Sequence, residues 1–543
     1  MERKKVKYPV GEHNFRDLRE GGFLYVDKTQ LVYELIELGK FIFLSRPRRF
    51  GKSLLLSTIE SYFSGEKELF ADTWLGRQDL QWQEFPILPF DMSQSSGRDS
   101  EVMALFLNKC LADYEQEYGL EDNSGLKDVG ARFSFLIKGI AQKTGKKVVI
   151  LIDEYDNGIL ETLDAPKKEQ DAMSAVLRAF YKQPKAMTRY VRFCMVTGVA
   201  RFGSYTLFSG PNNYLDVSMN PDLAAICGIT QQELLDNFEE GIQKIATERS
   251  ESREDAIDDL RQKYDSYRFT RSQAKVYNPY SLLNAFVEGA LDNYWIKSGT
   301  SKVFVEYLTR SEFDLLELEK IKVTRERMEG KYSKTDTIPL LFQTGYLTIK
   351  EVENFDLFRL GIPNGEVRSA LVNQLMPTFM GISEERFPEM LSRLQRLLKS
   401  GDVDGWIKEI QSLLSNIPNQ LFGPRQSHVD DEKKRTEAKE QSIARFERTY
   451  HLLVHVIFQM LSVDARSEIS VAGGRIDMVV GTHRFLYVME FKLDGTTQEA
   501  LKQIDDKGYL LPWQTDHRQL YKIGIVFSSV DRNISAYEYQ TNL

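Results

Sequence analysis

A chain of 543 residues exceeds the size at which one hydrophobic core keeps growing, so roughly two to four domains are expected. Its 42% hydrophobic and 28% charged residues exclude a disordered chain, while three scattered cysteines (Cys110, Cys194, Cys227) and six histidines without ligand spacing exclude a disulfide framework and a zinc cluster. The net charge of −8 excludes a global attraction for nucleic acid, so any such contact depends on local basic patches.

The segment from Met1 to Phe15 is charged and no apolar core follows it, so no secretory signal is expected. No later stretch is apolar for long enough to span a bilayer, and the expectation is a cytoplasmic protein without a membrane partner. Residues 1–230 alternate strand-like and helical patterns. Phe41 to Leu44 is an apolar run, a turn follows, and Leu54, Leu55, Ile59, Tyr62 and Phe63 then fall at helical spacing. Val148 to Ile152 and Phe193 to Val196 are two further runs of this kind. Continuous apolar strands separated by helices predict an α/β domain with a parallel sheet covered on both faces. Over 231–421 the pattern is mainly helical, with helices expected at Gln231 to Ala246 and Leu282 to Leu291. The block from Ile338 to Glu366 predicts a small β-hairpin in a lid or winged-helix-like module. Residues 422–440 are charged without an apolar stripe and read as a linker or loop. The remaining segment, 441–543, reads as a compact α/β unit. Its elements are a helix (Tyr450 to Met460), strands at Ile476 to Val480 and Leu486 to Phe491, a helix from Thr497 to Tyr509, and a strand from Tyr521 to Phe527.

Ser45 to Ser53 lies between a predicted strand and a predicted helix, where a Walker A phosphate loop belongs. Gly51 lets backbone N–H groups approach phosphates at a helix N-terminus, Lys52 reaches the β- and γ-phosphates, and the Ser53 hydroxyl ligates magnesium. Arg49 is a further candidate contact, and Arg46 stands where the general pattern has glycine. The run from Val148 ends in Asp153 and Glu154, the form of a Walker B strand, with Asp153 for magnesium and Glu154 for the attacking water. A buried strand entering a polar loop would look similar. The third strand ends at Thr197 and Arg201 follows it, where the two either sense and neutralise a γ-phosphate or face solvent in a loop. Asp27 and Lys28 either lie near a nucleotide's base or ribose, or Asp27 or Thr29 caps a helix.

Alternation puts Glu490 and Lys492 on one face of their strand and Phe491 on the other. Should the run holding Asp477 pair with it as a hairpin, the two carboxylates approach each other. They can then bind one or two magnesium ions while Lys492 positions a water or stabilises charge on a phosphate. Glu447, on the preceding helix, is a further candidate ligand, and Glu468 another. Gln503 and Tyr509 either line that cleft or pack beneath it. Glu-x-Lys alone is commonly a solvated edge, but here it follows the apolar run Leu486 to Met489.

These motifs and several others occur in one order along the chain. They are Tyr25 to Thr29, Arg46 to Ser53, Leu151 to Asp156, Thr197 to Val199, Asn212 to Asp216 and Tyr264 to Phe269. Asn278 to Ser281, Phe342 to Leu347, Gly474 to Asp477 and Glu490 to Lys492 complete the series. The whole resembles the bacterial family of AAA-ATPase-like proteins that carry a C-terminal PD-(D/E)XK nuclease domain, with Ser266 where that family usually has glycine. The resemblance implies a P-loop NTPase sheet followed by a restriction-endonuclease-like domain, and makes the arginine-rich phosphate loop the family's own variant. From the two sites, ATP and Mg2+ (Mn2+ as the alternative metal) are the expected cofactors and nucleic acid, DNA ahead of RNA, the expected partner; a homo-oligomer stays open. The expected function is an ATP-dependent or ATP-regulated, metal-dependent nuclease that hydrolyses phosphodiester bonds. The alternative is an NTP-driven switch that binds nucleic acid or a protein without cutting it.

Overall fold

Runs of consecutive apolar residues are buried on both faces only within a sheet that helices cover on both sides. Such runs form β1 (Phe41–Ser45), β3 (Val148–Asp153) and β4 (Val191–Gly198), which β2 (Ile87–Asp91) and β5 (Leu215–Asp216) extend into a five-stranded parallel sheet of order β2-β3-β4-β1-β5. The computed structural model describes residues 6–95, 99–121, 125–126, 128–163, 165–201, 214–297, 321–330, 338–354, 356–371, 386–415, 454, 457–458, 461, 464–471 and 474–541. Helices Ser100–Glu117, Val129–Thr144 and Lys167–Tyr181 bury Leu107, Phe133 and Phe180 in a common core with Phe90 and Ile150 of the sheet. Two charges inside this layer, Arg132 and Glu115, neutralise each other at 2.6 Å. Among the described residues no helix is long and apolar enough to cross a membrane.

The chain divides into two units, Met1–Val367 and Arg368–Leu543. In the first, helices Gln231–Asn237, Glu239–Arg249, Arg253–Tyr264 and Pro279–Glu288 share a core of Leu234, Phe238, Ile242, Leu260 and Phe286. The single helix expected from Gln231 to Ala246 is two helices broken at Phe238, whose φ of −121° lies outside the helical range. The expected hairpin consists of β7 (Thr348–Asn354) and β8 (Leu357–Gly361), joined along the other edge of β8 by β6 (Lys322–Thr324); Ile338–Gln343 before it is helical.

The second unit holds a mixed sheet of order β13-β12-β11-β10-β9, where β9 is Asp464–Val471, β10 Gly474–Gly481, β11 Phe485–Leu493, β12 Gln519–Ser528 and β13 Asn533–Thr541. β11 and β12 run parallel, which requires a crossover, and helix Thr497–Asp506 supplies it. The opposite face of the sheet buries Tyr487, Met489 and Ile523 against Leu394, Trp406 and Ile410 of helices Arg386–Ser400 and Val403–Ser415. The region read in sequence as one segment, 231–421, thus contributes to both units. Of the helix expected from Tyr450 to Met460, only Val454, Ile457 and Phe458 are described, and all three belong to that same core.

Candidate nucleotide and metal sites

Leu44 is in register with Thr197, and Ile152 with Val196, so the ends of β1, β3 and β4 finish side by side. Gly51, at a left-handed φ of 89°, turns the loop after β1 into helix Lys52–Phe63. Lys52 is buried, with Nζ donating to Pro47 O at 3.3 Å and lying 3.5 Å from Glu154 Oε1. Ser53 Oγ donates to Asp153 Oδ2 at 2.6 Å, and Thr197 Oγ1 donates to Asp153 Oδ1. Burial, and then the Glu154 charge, raise the Asp153 pKa against the pull of Lys52, Ser53 and Thr197. A hydroxyl and a carboxylate in direct contact beside a buried ammonium are the donor set that a magnesium-bound triphosphate requires. Arg49 is exposed at the loop's outer turn with a φ of 68°, and Glu154 also has a positive φ, 50°.

Arg201 is placed differently. It is 5% exposed, with Nη2 3.0 Å from Asp216 Oδ1 and Nη1 3.2 Å from Glu329 Oε1. Burial works to lower its pKa, and the two carboxylates more than offset that. Asp27 precedes helix Thr29–Leu38, whose N-cap is Lys28, and accepts from Thr29 N at 2.9 Å and from the distant Trp74 N at 2.6 Å, while Lys28 Nζ meets Glu233 at 2.6 Å.

Two residues without a role in the sequence reading, Tyr155 and Asp156, tie the β3 turn to the exit of β4. Asp156 accepts from Val199 N at 3.0 Å and Ala200 N at 2.6 Å, and the Tyr155 hydroxyl donates to Ala200 O at 2.7 Å. A Cβ at Gly198 would collide with both side chains, so the junction requires glycine there. Burial first, and Glu154 next, push the Asp156 carboxyl up to about 7. The signal available in sequence was a third acid just past the strand end, facing a glycine directly after Thr197.

In the second unit, β10 pairs antiparallel with β11, Met478 opposite Met489. Asp477 Oδ2 accepts from Phe491 N at 2.8 Å. Glu490 is 2% exposed; its Oε1 accepts from Lys492 Nζ at 3.0 Å, whereas its buried Oε2 receives no hydrogen bond. Lys492 Nζ also donates to Gln503 Oε1 at 2.8 Å, and the Tyr509 hydroxyl donates to Arg475 O at 2.7 Å. Burial first, and the Asp477 charge next, raise the Glu490 pKa to about 7, with Lys492 opposing. A buried carboxylate oxygen without a donor, beside a second carboxylate, is unfavourable by itself, and a divalent cation relieves both the desolvation and the repulsion. The pair therefore fits a metal. Among the described residues no group of three or more His, Cys, Asp and Glu side chains is arranged to hold one. Glu447 lies outside the described residues, and Glu468 is on β9.

Residues 9–208 match the family described as predicted AAA-ATPase, and residues 445–537 match the PD-(D/E)XK nuclease superfamily. A protein of Azotobacter chroococcum mcd 1, described as an uncharacterized protein in the vnfD 5' region, is 30% identical over 550 residues, covering 99% of this chain and 99% of its own length.

Proposed function

The chain belongs to the predicted AAA-ATPase family and carries a PD-(D/E)XK nuclease superfamily domain, and on that premise we propose that it hydrolyses ATP and cuts nucleic acid, DNA ahead of RNA, under the control of nucleotide. The observation that carries the nuclease half is the convergence of Glu490 with Asp477 and Lys492, with one buried oxygen of Glu490 left without a donor. Asp477 and Glu490 would hold magnesium or manganese, Glu447 being a further candidate ligand. The cation would supply Lewis-acid stabilisation of the phosphate and a more acidic water. Lys492, held by Glu490 and Gln503, brings a fixed positive charge to the scissile phosphate, where negative charge builds as water attacks and the P–O bond to the leaving sugar oxygen breaks.

In the first unit Arg49, Gly51 and Lys52 receive the phosphates, Ser53 and Asp153 would hold magnesium, Thr197 orients Asp153, and Glu154 positions the attacking water. Arg201 neutralises γ-phosphate charge once released from Asp216 and Glu329. The arrangement supports this reading through direct contacts between Ser53, Asp153 and Thr197 and between Lys52 and Glu154.

The test is incubation of the purified chain with plasmid, single-stranded DNA and RNA, with magnesium or manganese, and with or without ATP. Metal-dependent cutting should disappear in Asp477→Ala and Lys492→Ala, while Lys52→Ala should abolish ATP turnover and the effect of ATP on cutting. Cutting that persists in Lys492→Ala removes the nuclease assignment. Nucleic-acid binding without cleavage in the wild type would point to the switch instead.

A further inference from the structure

Middle-segment motifs to which the sequence assigned no chemistry gather around the phosphate loop. Arg46, in the place of the loop's usual first glycine, is buried with its guanidinium 4.6 Å from the Phe269 ring centre and Nη1 donating to Ser45 O at 2.9 Å and Ser218 O at 2.8 Å. Phe50 packs edge-on against Tyr267 at 4.8 Å and Phe269 at 5.4 Å. Gly345 abuts Pro47 so closely that a Cβ there would come within 2.8 Å of the proline ring. Between these fixed points Arg49 keeps a φ of 68°, which a residue with a side chain holds only where its surroundings impose it. Its guanidinium lies 4.8 Å from the centre of the Tyr280 ring. Tyr280 is the second residue of helix Pro279–Glu288. That helix start is set by a proline and by Asn278 Oδ1 accepting from Ser281 N at 3.2 Å.

We propose that Tyr280 is a positioning residue for the nucleotide's phosphates and acts through Arg49; this rests on the loop being a nucleotide site. A long exposed guanidinium samples many rotamers, and each phosphate contact must overcome the entropy of choosing one. An aromatic face on a capped helix start narrows that choice before nucleotide arrives. It attracts the cation through the ring's quadrupole. The middle segment is thereby part of the phosphate site, and the loop that lacks its first glycine is shaped by aromatic rings from outside.

Binding of a fluorescent ATP analogue with magnesium to the full chain tests this. Tyr280→Leu and Tyr280→Met, the latter keeping bulk without a ring, should each weaken binding about fivefold. Tyr280→Phe should bind like the wild type. In steady-state turnover KM should rise with kcat held. Combined with Arg49→Ala, Tyr280→Met should add no further loss. Wild-type affinity in Tyr280→Met, or an equal further loss on the Arg49→Ala background, overturns the inference while the nucleotide reading stands. If the wild type and Lys52→Ala bind equally poorly, the nucleotide reading fails and this inference with it.

Discussion

Glu490 concentrates the chemistry of the second unit in one carboxyl group. Its pKa of about 7 reflects burial first and the neighbouring Asp477 charge second. The sign follows directly: below about 7 the group holds a proton that a cation must displace, and above it the carboxylate is ready to bind. Manganese affinity should therefore fall as pH drops from 8 to 6, with proton release accompanying binding at the lower pH. Calorimetric titration in two buffers of different ionisation enthalpy reads both effects, and a pH-independent affinity without proton release would contradict them. Glu490→Gln, which cannot ionise, should lose the pH dependence together with most of the affinity.

Between elements, the junction of β3 and β4 does the most to hold the first site. Ser53, Thr197 and Glu154 can act together only if the two strand ends stay in register, and Asp156 fixes them by accepting two backbone N–H groups across the gap. Removing that acceptor strands two buried donors, each worth roughly 1–2 kcal/mol in mutational series. Asp156→Ala should thus destabilise the first unit by about 2–4 kcal/mol, whereas Asp156→Asn, which keeps one acceptor oxygen, should cost less. Denaturant unfolding measures the difference; equal midpoints for Asp156→Ala and the wild type would show that the loop finds other partners. Helices Arg386–Ser400 and Val403–Ser415 illustrate the same dependence in the second unit, where Trp406 is wholly buried against Tyr487 and Phe458.

At the scale of the whole chain, the boundary between the two units lies at Val367 and Arg368, ahead of that helix pair. A fragment spanning 368–543 keeps Leu394, Trp406 and Ile410 in its core and should unfold cooperatively. One spanning 441–543 exposes the sheet face those residues cover, and at about 25 cal/mol per Å² of apolar surface that loss is large against the 5–15 kcal/mol stability of a typical domain. Expression of both fragments, followed by circular dichroism through a thermal ramp, decides the matter. A cooperative transition in the shorter fragment would make the helix pair dispensable.

Strands β1, β3 and β4 of the first unit and β10, β11 and β12 of the second were determined by sequence alone, because runs of consecutive apolar residues are a local property that a chain displays without its partners. The identity of Ser53, Asp153, Asp477, Glu490 and Lys492 as candidates was likewise local, resting on residue type and order at strand ends. β2, interrupted by Pro89, and β13, which alternates polar and aromatic residues along an edge, carried no such run and escaped notice. Only the tertiary structure decided that Arg201 pairs with Asp216 and Glu329, that Gln503 meets Lys492, that Tyr280 faces Arg49, and that the helix pair covers the second sheet. Each of these joins residues brought together by strand register and layer packing. Side chains distant in sequence exchange energy only once the backbone has placed them within a few ångströms of each other, and no local pattern records that distance.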